Sequence, residues 1–147
     1  MSSNRPNSNS MAESATDSNE QAGRAKATGS RVLIVEDHVD TGAVMAKLLE
    51  SAGHHVRVAT DVASALKLAA SEPFDVVVSD IGLPDGTGYD LMARIRENHR
   101  VKGIALSGYG MEEDIQRSSD AGFSEHLLKP VDMFQLHAAI ERLSREP

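Results

Sequence analysis

Val32-Leu33-Ile34-Val35-Glu36-Asp37 is an unbroken apolar run of β-favouring residues that stops on two carboxylates. A strand of this kind has no polar face, so it belongs inside a sheet covered on both sides. Val76-Val77-Val78-Ser79-Asp80 repeats the pattern and again ends on an acid. Ile104-Ala105-Leu106-Ser107 and His126-Leu127-Leu128 are two further short runs, the second followed by Lys129-Pro130. His55-Val56-Arg57-Val58-Ala59 alternates polar and apolar side chains instead, as an edge or half-exposed strand does.

Between these runs the apolar pattern takes helical spacing. Thr41, Val44, Met45, Leu48, Leu49 and Ala52 recur on one face, and Gly53 is placed to stop that helix. Asp61 is placed to cap a helix carrying Val62, Ala65, Leu66 and Ala69. Gly82-Leu83-Pro84-Asp85-Gly86 is a loop dense in turn formers, and a helix with Leu91, Met92 and Ile95 follows it. A polar helix from about Met111 to Ser119 has Ile115 as its main apolar anchor. Asp132 is placed to cap a last helix whose face is Met133, Leu136, Ile140 and Leu143. Alternation of this kind predicts an α/β fold: a doubly wound, five-stranded parallel sheet with helices on both sides.

Composition narrows the function classes. The 147 residues suffice for one domain with a proper core. There is no cysteine, which excludes disulfides, thiolate metal sites and cysteine nucleophiles. No apolar stretch approaches the roughly 18 residues of a membrane span, and the first residues lack a signal-like apolar segment. A cytoplasmic protein is expected. Residues 1–29 are rich in Ser, Asn, Ala, Thr and Gly and are expected to form a disordered tail, with the domain at 30–147. Arg5, Arg24 and Lys26 balance Glu13, Asp17 and Glu20 there, so the net charge of −7 belongs to the domain. An acidic domain lacks the basic footprint of nucleic-acid binding, and no direct contact with DNA or RNA is expected.

In an open parallel sheet, ligands bind beyond the carboxyl ends of the strands. Glu36, Asp37, Asp80, Ser107 and Lys129 all stand at such ends. If strands one and three are neighbours, three carboxylates converge. A like-charged pair at about 4 Å costs roughly 4 kcal/mol at an effective dielectric near 20. The cluster therefore raises a pKa or recruits a cation, and hard oxygen ligands on an open site suit Mg²⁺. A carboxylate beside such an ion is a plausible phosphoryl acceptor. Lys129 would add a second positive charge and Ser107 a hydrogen-bond donor. Taken singly, Glu36 and Asp37 read as a polar strand end, Asp80 as a turn former and Lys129 as a surface charge. Only the site reading explains all of them together.

V-L-I-V-E-D at 32–37, D-I-G-L-P-D-G-T-G at 80–88, A-L-S-G at 105–108 and L-K-P at 128–130, in that order and at strand ends, resemble the receiver domain of two-component response regulators. The resemblance runs from Arg31 to about Leu143 and is closest to stand-alone, chemotaxis-regulator-like receivers. It implies a flavodoxin-like (βα)5 fold with strand order 2-1-3-4-5. It implies that Asp80 is the phosphoacceptor. Asp37 and Asp80 would ligate Mg²⁺ with the Gly82 carbonyl, and Glu36 would assist through water. Ser107 would be the switch hydroxyl, and Lys129 would contact the phosphoryl group. The Lys129–Pro130 bond is expected to be cis. The implied partners are a histidine kinase or histidine phosphotransfer domain and a downstream protein. Two positions depart from the family's pattern. His126 stands where Tyr or Phe is usual, and Tyr109, two beyond Ser107, is large enough to shield a phosphoryl group from water.

The expectation is thus a phosphorelay switch and not an enzyme: phosphorylation of Asp80 alters a protein-interaction surface, and no chain remains for an output domain. The rival is a phosphorylation-independent adaptor with the same fold. An aspartate-nucleophile phosphatase is disfavoured because D-x-D-x-[TV] is absent after the first strand. Gly86 and Gly88 are read as serving backbone geometry, and no phosphate-cradling G-x-x-x-x-G-K-[ST] exists. His54 and His55 are expected at a solvent-facing turn, and His38, close enough to the acidic pair to touch the site, is expected to start the first helix.

Overall fold

The computed structural model describes residues 29–108 and 112–146. Residues 1–28 of the expected tail and Tyr109 lie outside the described residues. The elements run β1 (Arg31–Val35), α1 (Val39–Ser51), β2 (His55–Ala59), α2 (Val62–Ser71), β3 (Val76–Asp80), β4 (Gly82–Leu83), β5 (Gly86–Thr87), α3 (Gly88–Arg96), β6 (Lys102–Ser107), α4 (Glu112–Ala121), β7 (Glu125–Leu128) and α5 (Met133–Arg145).

Five strands form one parallel sheet in the order β2-β1-β3-β6-β7. This is the expected 2-1-3-4-5 once the short strands β4 and β5 are set aside. Those two form an antiparallel hairpin of their own, where the sequence reading had only a loop. Two acceptor atoms on Asp85 hold that hairpin: Oδ1 accepts from Val62 N–H at 2.7 Å and Oδ2 from Ala63 N–H at 3.0 Å. The turn thus caps the start of α2, alongside Asp61, which accepts from Ser64 N–H at 2.8 Å.

The two-sided burial expected of β1 and β3 is observed. Leu33, Val35 and Val77 pack with Val62, Leu91, Met92 and Ile95 of α2 and α3. Val32, Ile34, Val76 and Val78 pack on the other face with Met45, Leu49, Leu136 and Ile140 of α1 and α5. β2 lies at the sheet edge and is largely exposed, as its alternation predicts. Gly53, with φ of 100°, ends α1 in the left-handed region that glycine favours. Among the described residues no helix is long and apolar enough to cross a membrane.

Three expectations need correction. The buried stripe of α1 is Gly42, Met45 and Leu49, whereas Val44 and Leu48 sit on the next row and face outward. Ile115 does not anchor α4: it is exposed, and the helix buries Ser118 instead. His54 is not solvent-facing, because the turn at Gly53 directs it inward. Its Nδ1 accepts from Ser30 N–H at 3.0 Å, and its Nε2 lies 3.2 Å from His137 Nδ1 on α5.

Candidate functional site

Sheet register brings the expected residues to one edge. Val35 pairs with Ser79 and with Ala59, Asp80 with Leu106, and Ser107 with Leu128. Backbone bonds carry the ladder past the strand ends. Glu36 N–H donates to Ala59 C=O at 3.0 Å, Ile81 N–H to Leu106 C=O at 3.1 Å, and Lys129 N–H to Ser107 C=O at 2.9 Å. Lys129 is therefore fixed at its root beside Ser107, and the Lys129–Pro130 peptide is cis as expected.

Asp37, Asp80, Gly82, Ser107 and Lys129 line one cavity of about 320 Å³, together with His38. Glu36 lies behind it, 1% exposed. The Lys129 ammonium contacts Asp80 Oδ1 and lies 3.6 Å from Glu36 Oε1. Both oxygens are buried and face that same ammonium. Two carboxylate oxygens of this kind, sharing one ammonium, retain capacity for a further cation.

The charges are strongly perturbed. Burial, opposed by the Lys129 contact and reinforced by the neighbouring Glu36, pushes the Asp80 carboxyl up to about 6. For Glu36 burial acts upward too, but hydrogen bonds from His38 and the Lys129 charge outweigh it, and its pKa falls below the ordinary range. Burial also works against the Lys129 charge, yet its two carboxylate neighbours raise the ammonium pKa. One acid is thus held ionised by its partners while the other is poised to change state.

His38 has a larger part than starting α1. Its backbone N–H and its ring Nδ1 both reach Glu36 Oε2, each at 3.0 Å. Hydrogen bonding to Glu36, and the charge of Asp37, raise the pKa of this exposed imidazole. The sequence offered both a touch on the site and a helix start for His38, and the structure shows both, since His38 is also the N-cap of α1. Gly88 serves geometry, as read: a Cβ there would lie 2.3 Å from the Asp80 carbonyl oxygen. That clearance lets α3 start directly beneath the strand end that carries Asp80. His126, at the departing position, has Nδ1 2.8 Å from Ser118 Oγ, so a hydrogen bond ties β7 to α4.

The family model of the response regulator receiver domain matches residues 32–141. The chain belongs to the response regulator receiver family. This receiver is 35% identical over 114 residues to an uncharacterized 14.6 kDa protein of Leptolyngbya boryana, covering 76% of this chain and 87% of that protein. It is 33% identical over 111 residues to the response regulator protein PilR of Pseudomonas aeruginosa, covering 75% of this chain but only 25% of PilR. Among solved structures, the receiver resembles the chemotaxis response regulator CheY4 of Vibrio cholerae with a TM-score of 0.74 and 27% identity, covering 79% of this chain and 99% of that one. It also resembles a Burkholderia pseudomallei response regulator solved with a phosphorylated aspartic acid, a calcium ion and citrate, with a TM-score of 0.72 and 26% identity over 78% of this chain and 68% of that one. Membership of this family places the receiver in two-component phosphorelay signalling.

Proposed function

We propose that this receiver accepts a phosphoryl group on Asp80 from the phosphohistidine of a histidine kinase or phosphotransfer domain. The observation that carries the reading is the juxtaposition of Asp80, Glu36 and Lys129: two buried carboxylate oxygens facing one ammonium. In the transfer, a carboxylate oxygen of Asp80 attacks phosphorus and the P–N bond breaks. The donor imidazole leaves with the bonding pair, and an acyl phosphate remains. Attack requires the ionised carboxylate, so a pKa near 6 leaves Asp80 competent at neutral pH and protonated in acid. Lys129 is within reach of the oxygens that gain charge, and Ser107 lines the same cavity as a hydroxyl donor.

Asp37, Asp80 and the Gly82 carbonyl are the residues that would hold Mg²⁺, with Glu36 assisting; all are hard oxygen donors. Bound there, the ion would neutralise charge developing on the transferring group. The Burkholderia relative with a phosphorylated aspartic acid and a calcium ion supports the same assignment of chemistry.

The output is a change in affinity for another protein, since phosphorylation adds charge and acceptor oxygens at the sheet edge. The receiver acts as a phosphoacceptor, with no external substrate turned over. The domain spans 30–147 in this reading, and residues 1–29 serve as a tail. Incubation with acetyl phosphate and Mg²⁺ tests the proposal by intact mass. Wild type should gain one phosphoryl group, and Asp80→Asn should gain none. Equal labelling of both would refute it.

A further inference from the structure

At the amino-terminal edge of the sheet, away from the acidic cavity, three segments meet around His54, whose side chain is 1% exposed. Its Nδ1 accepts from the Ser30 N–H at 3.0 Å, so that nitrogen carries no hydrogen. A neutral imidazole then bears its hydrogen on Nε2, which donates to His137 Nδ1 of α5 at 3.2 Å. Glu141 Oε2 lies 4.0 Å from the same Nε2 and 3.9 Å from His137 Nε2. Ser30 is held on its other sides too. Its C=O accepts from His55 N–H at 2.9 Å, and its Oγ contacts Ser144 Oγ, whose hydroxyl donates to Ile140 C=O at 2.7 Å. The entry to β1, the turn before β2 and the second half of α5 thus close on one ring. His54, His137 and Glu141 have the composition of a metal site. A ring nitrogen that carries a hydrogen has no lone pair for an ion, so the cluster is built for a proton instead.

We propose that His54 and His137 form a proton-sensitive latch, which fastens α5 to the entry of β1 and opens when His54 takes up a second ring proton. That proton must go on Nδ1, where the Ser30 N–H already points, so the backbone bond breaks. The charged and titratable groups acting on the ring are His137 and Glu141 of α5 and His55 of β2; Glu141 also takes Arg145 at 3.4 Å. Burial and the neighbouring His137 outweigh Glu141 and hold the His54 pKa below its ordinary 6.5. The folded chain therefore binds fewer protons here than the unfolded chain. The contribution of the latch is full above about pH 6.5 and is lost progressively as pH falls below it. Asp80 acts with the opposite sign, so the latch shows in local opening and not in global stability.

Amide exchange of the full chain, read residue by residue by NMR and normalised for intrinsic rate, tests the latch. From about pH 7.5 to about pH 5.5, protection at Ser30 and from Glu141 to Arg145 should fall on the order of tenfold, as one unit below the ordinary histidine pKa allows. Protection across α3 should not fall. The His54 ring nitrogens should show Nε2–H alone at the higher pH. They should take the second proton with the same midpoint at which Ser30 loses protection. His54→Asn keeps an acceptor near the Ser30 N–H and has no proton to gain, so its protection should not follow pH. His137→Gln still accepts from Nε2–H, so the fall should persist there. The latch is overturned by pH-independent protection in wild type, by a charged His54 ring with Ser30 still protected, or by a fall that survives His54→Asn or vanishes in His137→Gln. Should the His54 variant not fold, the wild-type midpoints decide: agreement supports the latch and disagreement refutes it.

Discussion

Asp80 carries its carboxyl into a place where 3% of the residue meets solvent, and its pKa rises to about 6 in consequence. The folded chain then holds that proton more tightly than the unfolded chain, whose carboxyl titrates near the ordinary 3.8. The stability this contributes is full below about pH 4 and is lost as pH rises through about 6. Asp80→Asn removes the cost of the buried charge. Without divalent cations it should be more stable than wild type at pH 7.5 by about 1–3 kcal/mol, with the gap closing near pH 4. Urea unfolding at both pH values measures this, and a less stable variant at pH 7.5 would contradict it. The convergence of Glu36, Asp37, Asp80, Ser107 and Lys129 at one sheet edge was legible in the sequence, because each ends an apolar run. The sharing of one ammonium by Asp80 and Glu36 was not, since it depends on which strands adjoin.

The elements around the site differ in how firmly they are held. Gly88 begins α3 against the Asp80 carbonyl, and its own N–H donates to Ile81 C=O at 2.7 Å. Gly88→Ala must move backbone, so a loss of about 1–3 kcal/mol is expected from overpacking. An unchanged urea midpoint would show that the close approach carries no constraint. In contrast, α4 buries only Ser118 and is tied across by the Ser118–His126 bond and by Arg117, whose guanidinium carbon lies 4.3 Å from the Tyr89 ring centroid. Hydrogen exchange should find α4 opening before the other helices, and slower opening once beryllofluoride and Mg²⁺ are added. Protection equal to that of α5 would refute this. The weakness of α4 was legible from its polar composition. Its orientation was not, because one Ile among polar residues cannot fix which side packs. Asp85 was opaque for another reason: its partners, Val62 and Ala63, stand far back in the chain, so no local pattern links the turn to α2.

At the scale of the molecule, alternation of doubly buried runs with helical faces was enough to predict the parallel sheet and its two helical layers. The strand order came by resemblance, and the observed register agrees with it. That order has a chemical result: β1 and β3 adjoin, so acids far apart in sequence share a cavity with the lysine that follows β7. If this arrangement is a phosphoryl acceptor, the acyl phosphate forms at one side chain and nowhere else. Borohydride reduction of the phosphorylated protein, followed by peptide sequencing on a mass spectrometer, tests this most directly, because an aspartyl phosphate is converted to homoserine. The expected result is homoserine at position 80 alone, dependent on Mg²⁺ and on a phosphoryl donor. Homoserine at another position, or none despite a competent donor, would contradict the account.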